Sequence, residues 1–350
     1  MATSTALVRA TVLAGPGLEP LPDAAVIIEG ETIAAVGDAV PDGAEVVDVR
    51  GLTLAPGFID AHVHLGLADP GEVVRRGVTS ARDLGWPTGI FALAARSRAA
   101  GFRGPHVTAV GRIMTAPGGY PTRARWAPAG TGLEVADGDE AGAAVEAMAS
   151  AGATAIKVAL DPSAGPTLTA EALAALVVAA HERSLKVTAH IGGLDELSKA
   201  MDARVDELAH MLMGAPRIPA GMLHDMVARD MTIVPTLAIF FGRARRVAID
   251  NLRRWHDLGG RVVYGTDLGN SGPRPGIDER EVTGMLQAGM SPRDVIGSAT
   301  TVAAEWLNLP NTGFIAPSMT ADIVAFDGDP LADAGALTRI ARVWRSGRSL

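Results

Sequence analysis

The sequence contains no cysteine. That excludes a disulfide framework and any thiolate-ligated metal, so a metal site here must draw on His, carboxylate or something rarer. Lysine is nearly absent too: Lys157, Lys186 and Lys199 are the whole set, leaving 28 arginines in a Lys-plus-Arg total of 31. No apolar run reaches the roughly 18–20 residues that span a bilayer without a charge or a Gly/Pro interruption. The stretch from Met1 to Gly15 has a lone Arg9 and no continuous apolar core of the kind a secretory leader needs. A net charge of −8 gives no support to nucleic-acid binding or to an anionic membrane surface. Disorder is excluded by 48% apolar residues beside 20% charged ones. The expectation is a cytoplasmic chain that acts on a small molecule, with the oligomeric state open and a homo-oligomer compatible.

What remains is long enough for a large core. At roughly 150 residues per domain, 350 residues make about two domains, or one barrel with an accessory. The first fifty residues read as short strands and turns, with a hairpin over Ala24–Gly37 around Glu29–Glu31 and a strand at Ala44–Val49. From Leu54 the pattern becomes apolar strand, polar break and helix, repeated. The strands are Leu54–His62, Val78–Leu84, His106–Gly111, Ala155–Leu160, Lys186–Ile191, Val205–Met211, Thr232–Leu237 and Arg261–Asp267. Helical segments such as Glu140–Ala151, Thr169–Ser184 and Asp225–Asp230 lie between them. Eight strands in that alternation predict an α/β fold, a (β/α)8 TIM barrel over residues 54–312. Strand character returns at Asp322–Phe326 and Ile340–Trp344. Residues 1–53 and 313–350 are each too small to hold a core, so they are expected to pair as one accessory β-sheet domain.

Chemistry concentrates at the strand ends. Residues i and i+2 of a strand share a face, so His62 and His64 in Gly57–His64 both point into the barrel. Two imidazoles in an apolar run are costly unless coordinated or hydrogen-bonded. His190 closes the fifth strand, His210 the sixth and Asp267 the eighth. The C-terminal ends of barrel strands are where catalytic groups collect, and N and O donors from four strands suit a divalent metal. Lys157 stands inside the fourth strand, where burial and neighbouring metal ions both oppose an ammonium. Lysine, unlike arginine, can lose its proton and add carbon dioxide to form a carbamate, an anionic ligand with two oxygens. Lys186 and Lys199 read as ordinary surface lysines. Asp83 reads as structural, and His106, His181, His224 and His256 are not assigned to the metals.

These motifs resemble the amidohydrolase superfamily over nearly the whole chain. Pro56–His64 looks like its first-strand motif, and Gly77–Asp83, Ile156-Lys157, His190, His210 and Gly265–Asp267 follow in the expected order. Within the superfamily the chain is most similar to the prolidase-like and imidazolonepropionase-like enzymes. The resemblance implies two zinc ions, one on His62, His64 and Asp267, the other on His190 and His210. It also implies that carboxylated Lys157 (N6-carboxylysine) and a hydroxide bridge them. Two metals lower the pKa of such a water and polarise the scissile carbonyl. Asp267 is placed to take the water's proton and return it to a leaving nitrogen.

The expected reaction is therefore cleavage of an amide bond in a dipeptide or N-acyl amino acid. Tyr120 replaces the His that relatives tend to carry after the paired glycines Gly118 and Gly119, and is a candidate substrate contact. Arg112, Arg123 and Arg125 are candidates to hold a substrate carboxylate, and Phe240-Phe241 and Asn270-Ser271 to line the pocket. Single-metal hydrolysis of a cyclic amide, ester or lactone, or a deamination, is the alternative, against which the bridging lysine counts. A non-catalytic scaffold would have lost ligands, and none is missing.

Overall fold

The computed structural model describes residues 4–99 and 101–350; Met1–Thr3, the head of the segment read as leaderless, lie outside the described residues. Thr5–Ala14 (β1) pairs antiparallel with Glu19–Glu29 (β2), and β2 with Thr32–Gly37 (β3), which is the hairpin expected around Glu29–Glu31. β1 escaped the sequence pattern because two register shifts, between Leu7 and Val12, break its alternation. Glu45–Asp48 (β4) and Leu52–Pro56 (β5) both add to β1 in parallel.

The expected strand Leu54–His62 divides at Gly57. A Cβ there would lie 2.1 Å from Oγ1 of Thr79, so only glycine lets the chain pass. Phe58–Val63 (β6), Val78–Asp83 (β7) and His106–Ala109 (β8) then form a parallel three-stranded sheet. A second parallel sheet holds Ile113–Thr115 (β9), Gly132–Glu134 (β10), Ile156–Leu160 (β11), Val187–Ile191 (β12), Glu207–Leu208 (β13), Thr232–Ile233 (β14) and Arg261–Val262 (β15). Its order is β10-β9-β11-β12-β13-β14-β15. Backbone hydrogen bonds join the two sheets at both edges. The amide of Thr154 donates to Ala109 O (3.0 Å), and at the other edge Ala61 N donates to Tyr264 O (3.0 Å) and Asp267 N to His62 O (2.8 Å).

β6, β7, β11 and β12 are buried at every position, as parallel strands covered on both faces must be. Helices alternate with them, including Gly138–Ala151, Ala170–Glu182 (capped by the Thr169 hydroxyl) and Gly242–Asp257. The later strands are shorter than expected. Pro235 has no amide to extend β14, and Thr236 and Asp267 take left-handed φ values of 44° and 59° that leave the ladder.

Ile323–Asp327 (β16), Ile340–Arg345 (β17) and Arg348–Ser349 (β18) return to the first sheet, where β16 pairs antiparallel with β5. The sheet order β18-β17-β16-β5-β1-β2-β3, with β4 on β1, thus draws strands from both ends of the chain. Its buried face carries Leu7, Val12, Val26, Ile28, Leu54, Ile323 and Trp344. The larger core lies around the parallel sheets. Among the described residues no helix is long and apolar enough to cross a membrane.

Candidate metal centre and active site

The end of β6 presents His62 and His64 on one face, their rings 5.4 Å apart. His62 Nδ1 lies 2.6 Å from Ala209 O and His64 Nδ1 3.0 Å from Gly85 O. A carbonyl can only accept, so each Nδ1 carries the proton and each Nε2 lone pair faces inward. Both Nε2 atoms stand 3.2 Å from Asp267 Oδ1. Burial pushes the His62 imidazole down to about 4, which keeps it neutral and able to ligate. A protonated His62 or His64 would hold the buried Asp267 carboxyl well below the usual carboxylate range; with both rings neutral, as metal ligation requires, a bound cation would do so instead. Asn270 Nδ2 donates to the same oxygen at 2.8 Å.

The backbone beneath this triad is pinned by buried acids. Asp60 accepts from His62 N, Thr266 N and the Thr266 hydroxyl (3.0, 3.1 and 2.6 Å), tying β6 to the strand end that carries Asp267. Asp83 accepts from Leu65 N and Gly85 N (2.7 and 3.1 Å), the structural role expected of it. Gly265 permits the close approach, since a Cβ there would meet Val234 Cγ1 at 2.4 Å and His62 N at 3.1 Å.

The second histidine pair meets across β12 and the chain after β13. His210 Nδ1 faces Met211 O at 3.1 Å, so its proton is there and its Nε2 is a lone pair. His190 Nε2 faces Asp161 Oδ2 at 3.3 Å, which assigns the proton to Nε2 and leaves Nδ1 bare. His190 Nδ1 and His210 Nε2 are 2.7 Å apart, a hydrogen-bond distance when either ring carries a proton there; with both bare, the two lone pairs would need a cation beside them.

Lys157 completes the group. Its side chain is 2% exposed and Nζ has no hydrogen-bond partner. Burial pushes its ammonium down to about 7, against the opposing pull of Asp267 and Glu207. A substantial share of the amine is therefore neutral near pH 7. Glu207 itself is buried against Arg82, whose guanidinium donates to it at 2.6 Å and to Ala61 O at 2.8 Å; Thr188 and Trp306 also donate to Glu207.

A cavity of about 260 Å³ opens over these residues, with His62, His64, Lys157, His190, His210 and Asp267 together in its wall. The donor set fits divalent cations. Three ligand atoms, one each from His62, His64 and Asp267, lie within 4.8 Å of one another, beside a facing histidine pair and an orphaned amine.

The profile of the amidohydrolase family matches residues 53–350. The chain belongs to the amidohydrolase family. It is a metal-dependent hydrolase of that family. An imidazolonepropionase from Streptomyces griseus is 26% identical over 380 residues, covering 95% of this chain and 94% of the relative. The crystal structure of a Xaa-Pro dipeptidase with bound methionine matches with a TM-score of 0.84 at 22% identity, covering 99% of this chain and all of that one. A prolidase complexed with N-methylphosphonate-L-proline matches with a TM-score of 0.82 at 23% identity, covering 99% of both. The parallel strands and helices of this amidohydrolase are consistent with the barrels of such neighbours.

Of the other candidates, Tyr120 lines the cavity, stacks on His190 (4.8 Å between centroids) and accepts a hydrogen bond from Trp126 Nε1 at 2.9 Å. Phe241, Asn270 and Ser271 also line it, whereas Phe240 is buried behind. Arg112 does not line it: its guanidinium donates to Gly130 O and Gly132 O (2.8 and 2.6 Å) and holds the loop shut on itself. Arg123 and Arg125 are exposed and also lie outside the lining. Nor are the remaining lysines free surface groups. Lys186 is half-buried over the Trp306 ring and donates to Trp306 O, and Lys199 pairs with Glu196 at 2.7 Å. Asp161, Trp126 and Glu207 are site residues that sequence reasoning passed over.

Proposed function

We propose that this amidohydrolase is a cytoplasmic enzyme that hydrolyses the amide C–N bond of a small molecule with two zinc ions. In this reading residues 54–312 close as a (β/α)8 barrel and residues 1–53 with 313–350 form an accessory sheet domain. His62, His64 and Asp267 would hold one ion and His190 and His210 the other, and Lys157, carboxylated by attack of its neutral Nζ on carbon dioxide with loss of one proton, would supply a further anionic ligand. The observation that carries the reading is the buried, unpartnered Nζ of Lys157 in the wall shared by the two ligand groups.

Bound divalent ions supply Lewis acidity, polarising the scissile carbonyl and bringing the pKa of water toward neutrality. The chain's own residues do the rest. Asp267, kept ionised and aimed by Asn270, takes the proton of the attacking water. As the new C–O bond forms and the C–N bond breaks, Asp267 passes that proton to the leaving nitrogen. Tyr120 already accepts from Trp126, so its own O–H is available to donate to the substrate oxygen. Asp60 and Asp83 keep the ligand-bearing turns from drifting.

The test is metal analysis joined to a hydrolysis panel of linear amides, cyclic amides such as imidazolones and hydantoins, and lactones. Expected are about two ions per chain and linear-amide cleavage that chelation abolishes. Activity that survives full chelation sinks the reading. One ion per chain with cleavage of cyclic substrates alone would instead favour ring opening, the chemistry suggested by the imidazolonepropionase relative.

A further inference from the structure

We propose that the substrate is an uncharged amide with apolar substituents, and that Phe241, clamped by Arg280, is the wall that selects it. This rests on the amide-hydrolase reading and narrows it. A dipeptide or N-acyl amino acid releases an amino acid, and the carboxylate it carries needs a cationic partner when desolvated. Among the described residues the cavity lining contains one side-chain amine, Lys157, which belongs with the metal ligands. Arg112 is tied to two loop carbonyls, Arg82 is buried against Glu207, and Arg123 is exposed away from the lining.

What the lining does offer is apolar. Ile113, Trp126, Met213, Ile239 and Phe241 face the cavity. Met213 and Phe241 are 37% and 54% exposed, large apolar side chains left open to solvent at a binding cleft. Phe241 is nevertheless held in place. The Arg280 guanidinium lies 4.6 Å from its ring centroid while donating to Ala238 O (3.2 Å) and Phe240 O (3.1 Å). Such a rigid ring costs little order on binding a flat or branched apolar group. The polar lining besides the ligands is neutral: the Tyr120 hydroxyl, the Asn270 amide and the Ser271 hydroxyl. At about 260 Å³ the cavity is at the small end of ligand sites, so the substrate is compact.

The experiment compares matched pairs that differ by one carboxylate on metal-loaded enzyme. Propionyl-pyrrolidide is set against N-propionyl-proline, propionanilide against N-propionyl-4-aminobenzoate, and phenyl propionate against 4-carboxyphenyl propionate as the ester control. The neutral member should show at least about tenfold higher kcat/KM, and Phe241→Ala should raise KM about tenfold for propionanilide, with a smaller effect on propionyl-dimethylamide. Equal rates, or preference for the carboxylate member, overturn the proposal. A pair that is not turned over is read by its Kd from calorimetry, with the same two outcomes. Cleavage of the ester pair alone defeats the amide reading, while the charge preference is still decided within that pair.

Discussion

Asp161→Asn and Asp161→Ala separate two ways in which Asp161 can act on the metal site. Asp161 Oδ2 accepts from His190 Nε2 at 3.3 Å, while Oδ1 accepts from the Ser163 amide (3.0 Å) and hydroxyl (2.6 Å). Both oxygens are thus occupied by donors. An asparagine has one acceptor, and whichever way it turns, its NH2 faces a donor. The backbone N–H of Ser163 cannot adapt, but the imidazole can. The amide therefore turns its NH2 to His190, which moves its proton from Nε2 to Nδ1. That places an N–H where His210 Nε2 now lies 2.7 Å away, and it removes the lone pair that would bind metal. Alanine removes the restraint without inverting the tautomer. Loss of a carboxylate behind a metal-binding histidine costs about 10–100-fold in affinity. The contact here is long, so Asp161→Ala belongs near the lower end and Asp161→Asn near the upper. Competition with a graded zinc chelator measures both, and circular dichroism checks that the fold is kept. Equal affinity in Asp161→Asn and the parent, or a larger loss for alanine than for asparagine, would refute the tautomer argument.

Other outcomes follow from the same geometry. Lys157→Arg puts a group that cannot deprotonate in a buried site; metal content should fall and amide cleavage drop to background, whereas full content and rate would remove the carbamate from the reading. Gly265→Ala forces a methyl to 2.4 Å from Val234 Cγ1 and against His62 N, an overpacking that costs roughly 1–3 kcal/mol, readable as a lower unfolding midpoint in urea. Glu281 is fully buried, with one oxygen accepting from Ala238 N (2.7 Å) and the other unpartnered, and burial raises it from 4.5 to about 8. The folded state therefore prefers the protonated acid. Its contribution is whole below the unfolded value near 4.5 and is lost as pH rises through about 8. Glu281→Gln should flatten the fall in urea midpoint across that window, and superimposable parent and variant profiles would rule the coupling out.

What could be read from the chain follows the range over which each signal acts. His62 and His64 were legible because the period of two is local, and Lys157 because a lysine inside an apolar strand conflicts with its surroundings whatever the rest of the fold. Asp161 was legible by the same period, since it sits two and four residues beyond Ala159 and Lys157 on one face. It went unread because it opens an Asp-Pro-Ser turn and looks like a loop residue. Glu207 and Arg82 are a different case. Each lies in a strand that looks half-polar, and only the fold reveals that they neutralise one another across 125 residues.

The arginines mark the limit of such reading. Nothing near Arg112 in sequence shows that its donors meet Gly130 O and Gly132 O, for those carbonyls come within reach only once the Gly118–Gly132 loop has closed. A loop arginine in solution and one tied to backbone look alike in a sequence, yet only the first can hold a substrate carboxylate. Ligand positions come from strand register and are local. Substrate charge preference depends on which cations the loops leave unpaired, and that is a property of the closed fold. The metal chemistry and the substrate therefore need separate tests: a variant that alters substrate charge preference without changing metal content would show that the two are set by different parts of the chain.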